Sequence, residues 1–317
     1  QKVPEASYEI KLDAYDIGLR DYRFPSGLRI IFQEENSQPI VAITSAIDRG
    51  SEHDQEDMDG IAHVVEHLAF RAQHVEAGEL LPKNWDLIKQ LGGTINASTS
   101  VDWTNYMTIA PRDAMSELLF IEARRMKDGV RNVTEEDVKL EIEIARNEKR
   151  MRYENAGIGA AWDALGSLMY PDGHPYRRST IGSHDSLSNI NLKAVQDFVK
   201  NHYVPEDTTM VVVGDFDLQK ESGLGIVLDT WGKTGDLDLL MAPEDAEKYR
   251  AAKTINDKID YFNGWAPRYQ EWLNKQQAEN QGFGAKRRVD CKDRPAPPKP
   301  NTQEPIRVKG MVDRETV

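Results

Sequence analysis

The chain has 317 residues, 39% of them apolar and 29% charged, an ordinary globular composition long enough to bury a core as one large domain or two modest ones. A net charge of -13 argues against nucleic acid as a partner and reads first as solubilising charge, with a mild preference for cationic peptides. No apolar run approaches the roughly 20 residues of a membrane span, and a lone cysteine, Cys291, excludes an intrachain disulfide or a thiolate metal cluster.

The first 20 residues are polar and irregular and form an N-terminal extension. The chain begins at Gln1 rather than Met, as expected of a trimmed chain. Loss of a secretory signal, which favours the periplasm or the cell exterior, gives such a start, and so does a cloning boundary. Leu28 to Gln33 and Ile40 to Ile47 read as strands rich in Ile, Val and Leu, with turn composition between them. An acidic loop, Ser51 to Gly60, leads into a helix from Ile61 to about Phe70. A helix follows Pro82 and stops at Gly92-Gly93. Thr94 to Ser100 and Trp103 to Ala110 form a strand pair, and Pro111 opens a helix to about Asp128. Thr134, three residues before Asp137, caps a long helix reaching about Asn155. Helices over Gly159 to Met169 and Leu192 to His202 precede a strand, Thr208 to Val213.

Paired strands, then runs of helices, then a lone strand point to an α+β fold rather than strict βαβ alternation. After Ala242 the composition changes. Residues 243–289 form a charged, helical insert in which Trp265, Tyr269 and Trp272 recur at helical spacing as a packing stripe. Residues 290–317 are Pro-rich and read as a linker toward a second domain or partner.

On a helical wheel of Ile61 to Phe70, residues His63, Glu66, His67 and Phe70 share one side, while Ile61, Val64, Val65 and Leu68 occupy the other. Histidines at i and i+4 reach one metal ion, and Glu66 lies beside it as a general base rather than a ligand. The bland alternative is two surface histidines near a glutamate, which the amphipathic placement disfavours. A catalytic zinc needs a third protein ligand. Glu141 and Glu148, two turns apart, share a helix face: one can bind the metal while the other supports a histidine. Taken alone, this helix reads more readily as a solvated acidic face.

These residues resemble a known family. His63-Val64-Val65-Glu66-His67, preceded by Asp59-Gly60 and followed by Leu68-Ala69-Phe70, is similar to the inverted HxxEH motif of the pitrilysin/insulinase zinc metallopeptidases, which include the mitochondrial processing peptidase β subunit and bacterial relatives. Gly92 to Ser100, Tyr170 to Tyr176 with Ile181-Gly182, and His202 to Pro205 followed by Met210 to Asp215 resemble further family segments, so the likeness covers residues 21–242, one catalytic domain. The resemblance implies a mixed, largely antiparallel sheet packed against helices. It implies one Zn2+ per chain, held by His63, His67 and Glu148, with Glu141 supporting a histidine. The gap after His67 is a few residues longer than usual, which leaves Glu141 as the fallback ligand. It also implies a zinc endopeptidase in which Glu66 is the general base and the peptide binds as an added strand along Asn96, Ala97, Ser98 and Thr99, with Phe70 nearby. Ser98 stands where the family often has an aromatic residue, so the local pocket differs.

Family enzymes pair this domain with a second, similarly folded one that closes over the substrate. This chain holds no second copy, so a partner is expected: a separate subunit of a heterodimer or the remainder of a longer chain. The rival reading is a noncatalytic structural or peptide-binding subunit. Glu66 argues against it, because a structural metal site has no use for an unliganded base.

Overall fold

The computed structural model describes residues 19–24, 26–76, 78–217, 223–241 and 243–251. In chain order it contains β1 (Leu19–Arg23), β2 (Arg29–Glu34), β3 (Ile40–Ile47), α1 (Ile61–Ala69), β4 (Val75–Glu76), β5 (Glu79–Leu80), α2 (Asn84–Gln90), β6 (Thr94–Thr99), β7 (Thr104–Pro111), α3 (Met115–Asp128), α4 (Glu135–Lys149), α5 (Gly159–Met169), α6 (His184–Asn189), α7 (Leu192–His202), β8 (Thr208–Gly214), α8 (Gly223–Thr234) and α9 (Pro243–Ala251). The architecture is α+β, with a six-stranded sheet in the order β1-β2-β8-β3-β7-β6 and a small β4-β5 hairpin. The β2-β8 pair is parallel, and every other neighbouring pair in the six-stranded sheet is antiparallel.

β3 and β8 alternate buried and part-exposed residues, so one sheet face is packed and the other is more open. On the packed side, Ile47 and Tyr106 join a core with Val64, Val65 and Leu68 of α1, Val138 and Ile142 of α4, and Phe198 and Val199 of α7. α3 and α8 pack together, with the Trp231 indole N–H donating to the Leu119 carbonyl at 2.9 Å.

Several elements differ from expectation. β1 spans Leu19–Arg23, where the sequence is too polar to announce a strand; Asp21 is buried there and paired with Arg29 at 2.8 Å. Pro111 ends β7 instead of opening a helix, and a 3-10 turn separates it from α3. α4 stops at Lys149, and a π-helical turn, Arg150–Glu154, replaces its last expected residues. Of the insert, 243–251 is helical; its remainder, with Trp265, Tyr269 and Trp272, and the 290–317 segment lie outside the described residues.

Candidate metal centre

α1 is fixed at both ends and along one side. Gly60 precedes it with φ +98, and a Cβ there would lie 2.9 Å from the Ile181 carbonyl oxygen, so glycine is required. The buried Asp54 carboxylate accepts from the Gly60 and Ala62 amides at 2.7 and 3.1 Å, satisfying donors that open the helix. Ile61, Val64, Val65 and Leu68 are fully buried, each worth roughly 1.5–3 kcal/mol. That burial fixes the rotation of the helix and turns His63, Glu66 and His67 toward a cleft of about 900 Å³.

α4 runs alongside. Thr134 caps it through a reciprocal pair, its hydroxyl accepting from the Asp137 amide at 3.1 Å and the Asp137 carboxylate accepting from the Thr134 amide at 3.0 Å. Val138, Ile142 and Ala145 pack in the core shared with α1, which brings Glu141 and Glu148 to the histidines. Glu148 Oε2 lies 3.5 Å from His63 Nε2 and 3.6 Å from His67 Nε2. Ligand atoms on one tetrahedral zinc at 2.0–2.1 Å are separated by roughly 3.3–3.4 Å, so these side chains fit a shared ion after small adjustment. Among the described residues, this is the group of three or more His, Cys, Asp or Glu side chains whose donor atoms converge, all within 4.8 Å of one another.

The donor chemistry agrees. Glu141 Oε2 lies 3.0 Å from His67 Nδ1. An ionised carboxylate only accepts, so Nδ1 carries the proton and Nε2 presents its lone pair toward Glu148. Burial pushes the His63 pKa down to about 3, with His67 and Arg152 adding to the effect, so His63 is neutral at physiological pH. Burial alone would lower His67 too, but the Glu141 hydrogen bond and the charges of Glu66, Glu141 and Glu148 outweigh it and raise its pKa. Glu141 also pairs with Arg71; despite burial, the His67 and Arg71 hydrogen bonds hold its pKa below the usual carboxylate value. Burial raises the pKa of Glu66 against the opposing hydrogen bond from Thr99, whose hydroxyl donates to Glu66 Oε2 at 2.5 Å.

The structure brings together every site residue expected from sequence. Phe70 and the β6 residues Asn96, Ala97, Ser98 and Thr99 line the same cleft as His63, Glu66, His67, Glu141 and Glu148. Among the described residues, β6 is an edge strand, paired only with β7. Sequence reasoning missed Arg71, Lys83, Trp85 and Arg152, which also line the cleft. Trp85 meets Phe70 edge-on at 5.9 Å, and Arg152 Nη1 lies 2.9 Å from Glu148 Oε1. It also missed a buried support: the Arg125 guanidinium, paired with Glu122, stacks 3.8 Å above the Tyr106 ring, and the Tyr106 and Tyr203 hydroxyls are 2.8 Å apart. Long-range contacts of this kind leave no local pattern.

The chain is similar to known proteins in sequence and in fold. Residues 29–157 match the family described as Insulinase (Peptidase family M16). The chain is 30% identical over 197 residues to zinc protease PqqE of Helicobacter pylori, covering 62% of this chain and 43% of that protein. A protease of known structure from Helicobacter pylori superposes with a TM-score of 0.58 at 28% identity, over 67% of this chain and 50% of that one. The first half of the periplasmic protease PqqL of Escherichia coli gives the same TM-score at 21% identity, a likeness of fold, over 67% of this chain and 45% of that chain. The chain thus spans about half the length of these relatives or less. Among its described residues, no helix is long and apolar enough to cross a membrane.

Proposed function

We propose that this chain, a member of the insulinase family of peptidases (peptidase family M16), is the catalytic half of a zinc-dependent endopeptidase acting on peptides or small unfolded proteins. The observation that carries this reading is the convergence of His63 Nε2, His67 Nε2 and Glu148 Oε2 in a cleft that a buried Glu66 also lines. His63, His67 and Glu148 hold the ion, and Glu141 orients His67. Bound there, zinc supplies Lewis acidity, which lowers the pKa of a water and polarises a carbonyl.

The remaining work belongs to the chain. Glu66 is 6% exposed, and its burial makes it a stronger base than a surface glutamate. Thr99 holds Oε2, so Oε1 takes the proton of an attacking water and later returns it to the leaving amine. The peptide adds to the outer edge of β6 beside Asn96 to Thr99, where main-chain pairing gives affinity with little side-chain reading. Phe70 and Trp85, which meet edge-on, offer apolar contact in the cleft.

A partner, either a second family-like domain or a separate subunit, completes the site. Two features support this. The chain spans less than half the length of PqqE. Ile158, Trp162, Leu168 and Met169, on or next to α5, are each more than 60% exposed, an apolar surface of the kind that marks an interface.

The test is zinc content and hydrolysis of a quenched fluorescent peptide, with the partner present. Glu148→Gln should lose most of its zinc. Glu66→Gln should keep about one zinc per chain while hydrolysis falls by roughly 10²–10⁴-fold. Wild-type protein that takes up no zinc after metal-replete purification overturns the reading.

A further inference from the structure

We infer that Arg152 is a positioning residue for the metal centre: it occupies one oxygen of Glu148 so that the carboxylate offers the other, alone, to the ion. This rests on the zinc reading above. Glu148 uses its two oxygens differently. Oε2 faces the two histidine Nε2 atoms at 3.5 and 3.6 Å, while Oε1 accepts from Arg152 Nη1 at 2.9 Å. A glutamate ligand with no such partner is able to rotate and present both oxygens, which favours a higher coordination number and takes the position that water needs.

Arg152 reaches Glu148 from the π-helical turn 150–154 that follows α4, four positions along the chain. Its side chain is 70% exposed, against 18% for Glu148. An exposed i,i+4 pair contributes little to folding, so a stability role does not account for the contact. Arg152 also lines the cleft beside Glu148. Other hydrogen-bonded partners of ligands in metal sites act in this way, and removing them costs roughly 10–100-fold in metal affinity.

The experiment uses the full chain with Arg152→Ala, Arg152→Lys and Glu148→Gln. Three quantities are read: zinc affinity by competition with a chromogenic chelator, the visible spectrum after cobalt(II) substitution, and the thermal midpoint of the metal-free protein. Arg152→Ala should bind zinc about 10–100-fold more weakly, with weaker cobalt bands as coordination number rises and an unchanged metal-free midpoint. Arg152→Lys should recover part of the affinity. Wild-type affinity and cobalt spectrum in Arg152→Ala, with zinc lost in Glu148→Gln, overturn the Arg152 role and leave the zinc reading intact. Zinc retained in Glu148→Gln overturns the Arg152 role and moves the third ligand to Glu141; zinc never bound by the wild type overturns both.

Discussion

His74 is 3% exposed, and its Nε2 makes no hydrogen bond among the described residues. Burial, reinforced by Arg124, Arg125 and Arg131, pushes its pKa down to about 4. Burial, with His53 and Arg49 nearby, also brings His202 down to about 4. An unfolded histidine titrates near 6.5. Between these values the unfolded chain binds more protons than the folded one, so stability is full above pH 6.5 and falls as pH drops toward 4. Thermal midpoints at pH 7 and pH 5 should show this loss, and His74→Leu should make it smaller. An equal loss in the variant would move the acid sensitivity elsewhere. The same scale shows what a sequence reveals. His63, Glu66 and His67 sit within two turns of one helix, so their shared face is legible directly. Glu141 and Glu148 lie more than 70 positions away and look like surface carboxylates until α4 is laid beside α1. Arg71, Arg152 and the Thr99 contact to Glu66 exist only in the folded chain.

Elements with strong periodicity or clear caps stand where sequence places them. α5 and α7 have the expected bounds, and the Thr134 cap forms with Asp137. Elements fixed by tertiary contact do not announce themselves, among them β1, held through Asp21 and Arg29, and α8, held through Trp231. The start of α1 is the most exacting local feature. Gly60→Ala would combine a positive φ with a Cβ pressed against the Ile181 oxygen, the Leu187 side chain and Gly182. A cost of roughly 1–3 kcal/mol is expected, read as a lower denaturation midpoint. Zinc affinity should fall with it, because the three residues after Gly60 lead straight to His63. Unchanged stability would mean that the 179–187 segment yields easily.

For the whole molecule, the decisive arrangement is β8 lying between β2 and β3. Among the described residues, β2 pairs with β1 and β8 alone, and β3 with β7 and β8 alone. A chain ending at residue 205 would therefore hold two separate sheet fragments, and α1 would lack a continuous floor. Such a truncation should show no cooperative unfolding transition by circular dichroism and no specific zinc uptake. A cooperative transition in it would show that β3, β7 and β6 suffice with α1 and α4.

The position of β8 also sets a clock on biosynthesis. Arg29 is paired with Thr209, 180 positions later, and a ribosome adding 5–20 residues per second needs roughly 10–40 s to cover that stretch. Throughout that interval Ile30 and Phe32, fully buried in the finished protein, wait on an unclosed ribbon. Each nascent copy thus carries an unpaired β2 edge, open to edge-to-edge association, for roughly 10–40 s before β8 is made.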